Sequence, residues 1–192
     1  EVEHLQAVWQ NPEAIQNISY PSEIVQLETV KQSGDLIRYI VHPSENVQLA
    51  AVRQSYNAIR QILDMGIKPS ENVQLETVKH SGANLLELID SGINPSEQVQ
   101  LAAINQHLEI FRYIPNPSEK VQLAAIKQKP LMIKHIKSPT ELVQLATIKA
   151  DPYLIFYIEN PTEKVQLQAV KQDGYVIKNI KHPLEKAQLL AI

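Results

Sequence analysis

Eight of the twelve prolines recur at a nearly constant spacing, which constrains the fold of this chain more than any other feature. Between consecutive prolines the chain repeats a pattern close to P-[ST]-E-x-V-Q-L-x-[AT]-[VI]-[KR]-Q, then a short variable junction and x-x-I-x-x-I. A period of this length is typical of solenoids, in which each repeat packs against its neighbours. The prolines, 22 or 26 residues apart, are Pro21, Pro43, Pro69, Pro95, Pro117, Pro139, Pro161 and Pro183.

The prolines also define the domain organisation. Because the chain starts and stops within a repeat, we expect 1–192 to be one repeat array and a fragment of a longer one. The predicted repeats are 21–42, 43–68, 69–94, 95–116, 117–138, 139–160 and 161–182, with partial repeats at 1–20 and 183–192.

Each repeat predicts two short helices, a leading helix after the proline and a trailing helix after the junction. At about 100° per residue, Val121, Leu123, Ala125 and Ile126 span an arc of about 200°, which favours a helix packed between neighbours. In the trailing helix, apolar residues lie three positions apart, such as Ile37 and Ile40. The predicted fold class is therefore all-α, an α-solenoid of two-short-helix repeats stacked in a superhelix.

The start of each leading helix resembles a capping box. We predict that the residue before the proline is the N-cap, in extended conformation, and that the proline is the first helical residue. The glutamate of every repeat, such as Glu119, then lies at the third position, where capping explains its recurrence without acid chemistry. The predicted caps are Asn94, Asn116, Ser138 and Asn160.

The junctions predict where the helices end. Gly34 and Gly174 are expected to adopt the left-handed conformation that ends a helix. The two 26-residue repeats carry extra residues ending in Gly66 and Gly92, which predict one more helical turn closed by a glycine cap. We expect a ledge or a change of curvature near residues 60–95, a second place to look for a partner.

A glutamine lies in the middle of the apolar arc of every leading helix. A buried amide without partners is costly, so we predict a structural ladder in which each glutamine bonds to a neighbouring glutamine or to the backbone of the next repeat. Ligand binding is the alternative. The residues are Gln26, Gln48, Gln74, Gln100, Gln122, Gln144, Gln166 and Gln188.

Two further rows differ in how much they vary. Near the end of the leading helix a basic residue recurs and predicts a solvated face (Lys31, Arg53, Lys79, Lys127, Lys149 and Lys171).

Before the last apolar residue of the trailing helix the sequence varies from repeat to repeat, as it does at positions that recognise a partner. The candidate partner-binding residues are Arg38, Tyr39, Arg60, Arg112, Tyr113, Lys134, His135, Phe156, Tyr157 and Lys178. Alternatively, these side chains only cover neighbouring apolar surface.

Composition excludes several other classes. There is no cysteine, no metal-ligand spacing among the six histidines, no phosphate-binding glycine loop and no nucleophile motif. We therefore predict no enzyme, no cofactor and no metal. No apolar run is long enough to cross a membrane, and the sequence predicts a cytoplasmic protein.

The segments Val47–Ile62 and Val165–Ile180 read VQLAAVRQSYNAIRQI and VQLQAVKQDGYVIKNI. They resemble short helical repeats of bacterial, phage and giant-virus proteins that read VQLAAVKQNG followed by A-I-x-x-I, a repeat family without an assigned activity. The helix spacing is also similar to that of leucine-rich-variant solenoids, and the extra turns resemble the ends of ankyrin helices. The resemblance implies an α-solenoid of microbial or phage origin and transfers no catalytic residue.

Three functions follow from these observations. The favoured one is a non-catalytic interaction module that binds a protein or peptide along one face. The second is single-stranded nucleic-acid binding through the Arg/Lys and Tyr/His positions, although the net charge of −3 argues against wrapping by bulk charge. The third is structural, with repeat arrays stacking end to end.

Overall fold

A computed structural model describes residues 1–191, and this range contains only helices, joined by short turns. The chain is an all-α helical repeat solenoid, as predicted. The leading helices are Val2–Gln10, Glu23–Gln32, Glu45–Gln54, Glu71–His80, Glu97–Gln106, Glu119–Gln128, Glu141–Ala150, Glu163–Gln172 and Glu185–Leu190. The trailing helices are Pro12–Asn17, Gly34–Tyr39, Ala58–Asp64, Asn84–Asp90, Leu108–Tyr113, Pro130–His135, Pro152–Tyr157 and Gly174–Asn179.

The trailing helices differ with repeat length. In the 22-residue repeats they are 3₁₀ helices, and in the two 26-residue repeats, at Ala58–Asp64 and Asn84–Asp90, they are α-helices. A 3₁₀ helix has three residues per turn, so apolar side chains three apart, such as Ile37 and Ile40, lie on one side of it. Both of these isoleucines are fully buried.

The chain forms two compact units, residues 1–110 (the N-terminal unit) and a second that begins at Phe111 (the C-terminal unit). Within each unit the leading helices pack against one another in chain order, and the trailing helices form a second layer on them. The core of each unit lies between these layers. Valines of the leading helices, such as Val47 and Val143, are fully buried there together with isoleucines of the trailing helices, such as Ile59 and Ile133.

Except for the first, which begins at Val2, the leading helices begin at the glutamate, two residues later than predicted. In seven of the nine the N-cap is the Ser or Thr after the proline, and the first and last have Glu1 and Leu184 at this position. In six the cap hydroxyl accepts a hydrogen bond from the N–H of the valine three residues on, as the Ser70 hydroxyl does from the Val73 N–H at 3.4 Å. The predicted caps Asn94, Asn116, Ser138 and Asn160 are therefore wrong. The sequence Pro-Ser-Glu allows either the residue before the proline or the serine after it to be the N-cap. The serine is used because its hydroxyl can reach the third N–H of the helix.

The residues before the prolines are not all extended either. Tyr20, His42 and Asn116 have positive φ angles of 55°, 55° and 48°. The chain therefore reverses at these residues, between the end of one trailing helix and the cap of the next leading helix.

The recurrent glutamate joins neighbouring repeats. Its carboxylate accepts a hydrogen bond from the cap hydroxyl of the following repeat, as from Ser70 to Glu45 at 2.7 Å and from Ser22 to Glu1 at 3.0 Å. The same link joins Ser44 to Glu23, Ser96 to Glu71 and Thr140 to Glu119. We call it the cap–carboxylate link. Each cap hydroxyl of this kind that also binds its own helix uses both its donor and an acceptor site.

The glycines fall into two classes. Gly66 and Gly92 have φ angles of +72° and +79° and close the extra turns as predicted, with the Gly66 N–H donating to the Leu63 carbonyl at 2.8 Å. The same prediction is wrong for Gly34 and Gly174, which do not have positive φ. A Cβ atom at Gly34 would lie 2.4 Å from the Ala51 carbonyl oxygen, so this glycine allows the next leading helix to approach closely.

These two roles predict opposite responses to asparagine, which tolerates the left-handed conformation. We expect Gly66→Ala to lower the free energy of unfolding by about 1–2 kcal/mol and Gly66→Asn by less, because nothing lies within 4 Å of a Cβ there. Gly34→Ala should cost about 1–3 kcal/mol and Gly34→Asn at least as much, because any side chain meets backbone. Urea unfolding measures all four, and recovery by asparagine at position 34 would contradict the close-approach role.

The cap–carboxylate link predicts sensitivity to acid. Hydrogen bonds from Ser70 and then Asn72 lower the pKa of the Glu45 carboxyl below its ordinary value. A lowered folded-state pKa adds stability above the ordinary pKa, and this stability is lost as the pH falls through the lowered pKa. We expect Glu45→Gln to be less stable than the unmodified protein at pH 7 and to lose less stability between about pH 5 and pH 3. Thermal unfolding across this range measures the difference, and parallel pH profiles would contradict it.

Candidate interaction surface at the ends of the trailing helices

Nine of the candidate partner-binding residues lie in the last turn of a trailing helix, and Arg60 lies within the α-helix Ala58–Asp64. In the 3₁₀ helices the pair precedes an apolar residue, such as Ile40 or Ile158, that turns into extended backbone and is 0% or 4% exposed. The core residue holds the turn, while the pair before it points toward solvent. Nine of the ten are exposed (Arg38, Tyr39, Arg60, Arg112, Tyr113, Lys134, Phe156, Tyr157 and Lys178), and His135 is half-buried.

Several of these side chains contact one another. The Arg38 guanidinium lies 4.8 Å from the centre of the Tyr39 ring, and that of Arg112 lies 5.2 Å from the Tyr113 ring. Attraction between a cation and the face of a ring favours this placement. The predicted pairing of a cation with a ring therefore exists at both positions, and the ring restricts where the guanidinium lies.

The other pairs are arranged differently. Phe156 and Tyr157 contact each other edge to face, with ring centres 5.3 Å apart and an angle of 85°. Lys178 lies over the ring of Tyr175, 5.4 Å from its centre, rather than against its neighbour Asn179. Tyr175 was not among the predicted residues, because it lies at the start of the trailing helix, one turn before Lys178.

A groove lies between the ends of consecutive trailing helices in each unit. In the N-terminal unit it has a volume of about 670 Å³, and its lining includes Ile18, Tyr20, Gln26, Tyr39 and Val41. In the C-terminal unit it has a volume of about 410 Å³ and is formed by residues 156–159 and 178–181. Both grooves lie at the same positions of the repeat. Sequence reasoning placed the variable side chains here but did not predict the grooves.

We define the trailing-end surface of each unit as the last turn of its trailing helices and the turn that follows. In the C-terminal unit this surface is residues 112–116, 134–138, 156–160 and 178–182, with five basic side chains and one acidic. In the N-terminal unit the equivalent residues are 16–20, 38–42, 60–68 and 86–94, with three of each sign. The net charge of the whole chain, −3, does not show this difference in charge between the two surfaces.

The central glutamines hold the turns beside these surfaces. In all eight, the amide nitrogen donates to the carbonyl of the proline five residues earlier, at 2.8–3.2 Å. This turn follows directly on the trailing-end residues of the preceding repeat. The predicted bond between neighbouring glutamines is therefore wrong, because the amide reaches its own turn first.

Part of the predicted link to the next repeat does form. The Gln144 amide oxygen accepts a hydrogen bond from the Thr162 N–H at 3.2 Å, and that of Gln166 accepts one from Leu184 at 2.9 Å. In contrast, the amide oxygens of Gln48, Gln100 and Gln122 are buried and accept no hydrogen bond from residues 1–191. The link is therefore present in only some repeats.

A second row of glutamines, at the end of the leading helix, was not predicted to join repeats. Gln32 donates to the Val8 carbonyl at 2.9 Å, Gln54 to Gln32 at 3.2 Å, and Gln172 to Ile148 at 3.1 Å. The last carbonyls of a helix have no partner within the helix, and this side chain supplies one from the next repeat. The recurrence of glutamine at this position was the available signal.

The basic row of the leading helices is exposed, as predicted. Lys31 pairs with Glu28 of its own helix at 2.6 Å, and Arg53 pairs with Glu76 of the next repeat at 3.0 Å. Lys149 and Lys171 make no ion pair with any residue of the described chain. This row contributes to the surface of the leading helices, a different part of each repeat from the trailing-end surface.

In residues 1–191 no three or more acidic, histidine or cysteine side chains cluster in a way that could hold a metal ion. Nor does any helix in this range have both the length and the apolar character to cross a bilayer.

Comparison of this chain with protein families, with curated proteins and with solved structures finds no match.

The difference among the central glutamines predicts a difference in stability. Gln144→Leu removes two hydrogen bonds and leaves the Thr162 N–H without its partner, so we expect a loss of about 1–3 kcal/mol. Gln122→Leu loses one hydrogen bond but also removes a buried oxygen without a donor, so its cost should be smaller. Denaturant unfolding of the two variants tests this order, and an equal or reversed cost would contradict it.

Proposed function

We propose that this protein is a non-catalytic interaction module that binds a protein or peptide segment on the trailing-end surface of its units. One observation carries the proposal: grooves occur at the same repeat positions in both units, with variable side chains beside them. Apolar core residues form the base of these grooves, so the scaffold stays constant while the recognition residues change.

The grooves suit an extended partner better than a small molecule. Each is open and combines apolar surface, as at Ile18 or Ile158, with polar and charged side chains. Exposed aromatic residues such as Tyr39 and Phe156 are the type that contributes most energy to protein interfaces. A partner that places one side chain in a groove would also contact the variable pair beside it.

Single-stranded nucleic acid is the second candidate partner, and one observation favours it. The trailing-end surface of the C-terminal unit combines five basic side chains with the rings of Tyr113, Phe156 and Tyr157. Basic grooves with aromatic residues bind single strands through phosphate contacts and base stacking. A cytoplasmic location fits either partner, since a chain without cysteine has no need of an oxidising compartment.

Selection from a random peptide library tests the proposal. We expect binders whose affinity falls about fivefold or more in the variants Tyr39→Ala and Tyr157→Ala, each for peptides bound to its own unit. Tyr56→Ala is the matched control, because Tyr56 is at least as exposed as Tyr39 and Tyr157 but lies before its trailing helix rather than at the end of one. Circular dichroism of each variant checks that the fold is retained.

Two results would contradict the proposal. The first is a library that yields no specific binder. The second is a set of binders that respond to substitution of Lys149 or Lys171 on the leading helices and not to Tyr39 or Tyr157.

A further inference from the structure

We propose that the trailing-end surface of the C-terminal unit binds an acidic peptide segment that carries an apolar side chain between its carboxylates. This inference rests on the proposed function and specifies the chemistry of the partner. It concerns one unit only, because the equivalent surface of the N-terminal unit has balanced charge.

The first argument is uncompensated positive charge. Lys134, Lys137 and Lys181 are exposed and make no ion pair with any residue in 1–191. Glu159 is the one acidic residue of this surface. Carboxylates from a partner would supply the missing negative charges, and complementary charge raises both association rate and specificity.

Other lysines of the same unit do form ion pairs with glutamates. On its leading helices Lys164 lies 3.6 Å from Glu141 and Lys186 lies 2.6 Å from Glu163, each pair joining two neighbouring repeats. Lys149 and Lys171 also make no ion pair with residues 1–191, but they lie on the leading helices, where Lys164 and Lys186 are paired. On the trailing-end surface Lys134, Lys137 and Lys181 all lack a carboxylate partner, and this surface holds a single acidic residue.

The second argument is the groove itself. Ile158 and Ile180, 4% and 5% exposed, lie at its base, and Phe156, 67% exposed, lies on one side. Lys178 and Lys181 lie on the other side. Its volume of about 410 Å³ is at the lower end of the range for ligand sites and suits a side chain or two rather than a folded surface. An apolar side chain of the partner can enter, with carboxylates on either side of it reaching the lysines.

The geometry of the rings favours a peptide over a nucleic acid. A stacked base needs an open, flat ring face, and contacts already cover one face in the Phe156–Tyr157 pair, which meets at 85°, and one face of Tyr113, which lies under Arg112. Charge favours the peptide as well, because the N-terminal unit of the same chain has 14 acidic and 6 basic residues. A long polyanion would be repelled by that unit, whereas a short acidic segment on the C-terminal unit would not.

Fluorescence anisotropy with three labelled probes tests the inference on the full chain. The first probe is a 12-residue peptide with Leu-Phe at its centre and glutamates on both sides, the second has glutamine in place of each glutamate, and the third is an oligothymidylate of 12 nucleotides. We expect the acidic peptide to bind about tenfold more tightly than the glutamine peptide, and its affinity to fall as salt is raised to about 0.3 M.

The variants Lys134→Glu/Lys178→Glu and Lys149→Glu/Lys171→Glu form a matched pair. Both reverse two exposed lysines in the last turns of helices of the C-terminal unit, the first on the trailing-end surface and the second on the leading helices. The first should weaken binding of the acidic peptide about tenfold or more, and the second by less than about twofold. Thermal unfolding checks that both variants remain folded.

The outcomes separate this inference from the proposed function. Equal binding of the acidic and glutamine peptides, still weakened by Phe156→Ala, would overturn the acidic partner and leave the peptide-binding surface in place. Tighter binding of the oligothymidylate, with affinity falling steeply with salt, would overturn it in favour of nucleic acid. Binding that only Lys149→Glu/Lys171→Glu weakens would overturn both proposals. No binding of the acidic peptide up to about 1 mM would overturn the inference alone.

Discussion

The repeat depends on the hydroxyl group of the Ser or Thr that precedes seven of the nine leading helices. In Ser70, for example, it accepts a hydrogen bond from the third N–H of its own helix and donates one to Glu45 of the preceding repeat. At the other end of the helix, glutamine side chains donate hydrogen bonds to carbonyls that have no partner within their own helix, as Gln54 does to the Gln32 carbonyl. Both ends of a leading helix are thus completed by neighbours, so a single repeat leaves polar groups unpaired.

This arrangement separates the parts of the repeat that must stay constant from those that can change. The leading helices hold the caps, the links and most of the valine core, and a substitution there affects two repeats at once. Around the last turn of a 3₁₀ trailing helix two apolar residues enter the core, such as Ile37 in the helix and Ile40 just after it. The two residues between them can vary without disturbing the packing, which is why we place recognition there.

Much of the architecture could be predicted from the sequence, because it follows from local patterns. Proline spacing, apolar periodicity and the glycines of the longer repeats predict the helices, their number in each repeat and the exposure of the variable pairs. The start of the leading helix could not be decided, because Pro-Ser-Glu supports two capping frames. The role of Gly34 depends on how closely the Ala51 carbonyl approaches, a distance between repeats that no local pattern contains.

The candidate surfaces were predicted only in part for a similar reason. The variable residues were identified by position, but a groove requires two trailing helices side by side, and sequence spacing does not give the space between them. The partners of the central glutamines were also mispredicted, because burial indicates that an amide needs a partner but not which carbonyl is within reach. Charge at the trailing-end surface was available from the sequence once the repeat positions were compared.

We propose that the leading helices form the scaffold and that the trailing-end surface of the C-terminal unit binds the partner. Titration of the isotope-labelled protein with the acidic peptide, followed by NMR amide shifts, tests this most directly. We expect the shifts to concentrate at residues 134–138, 156–160 and 178–182, with little change near Lys127, Lys149 and Lys171. Shifts concentrated at the ends of the leading helices instead would contradict it.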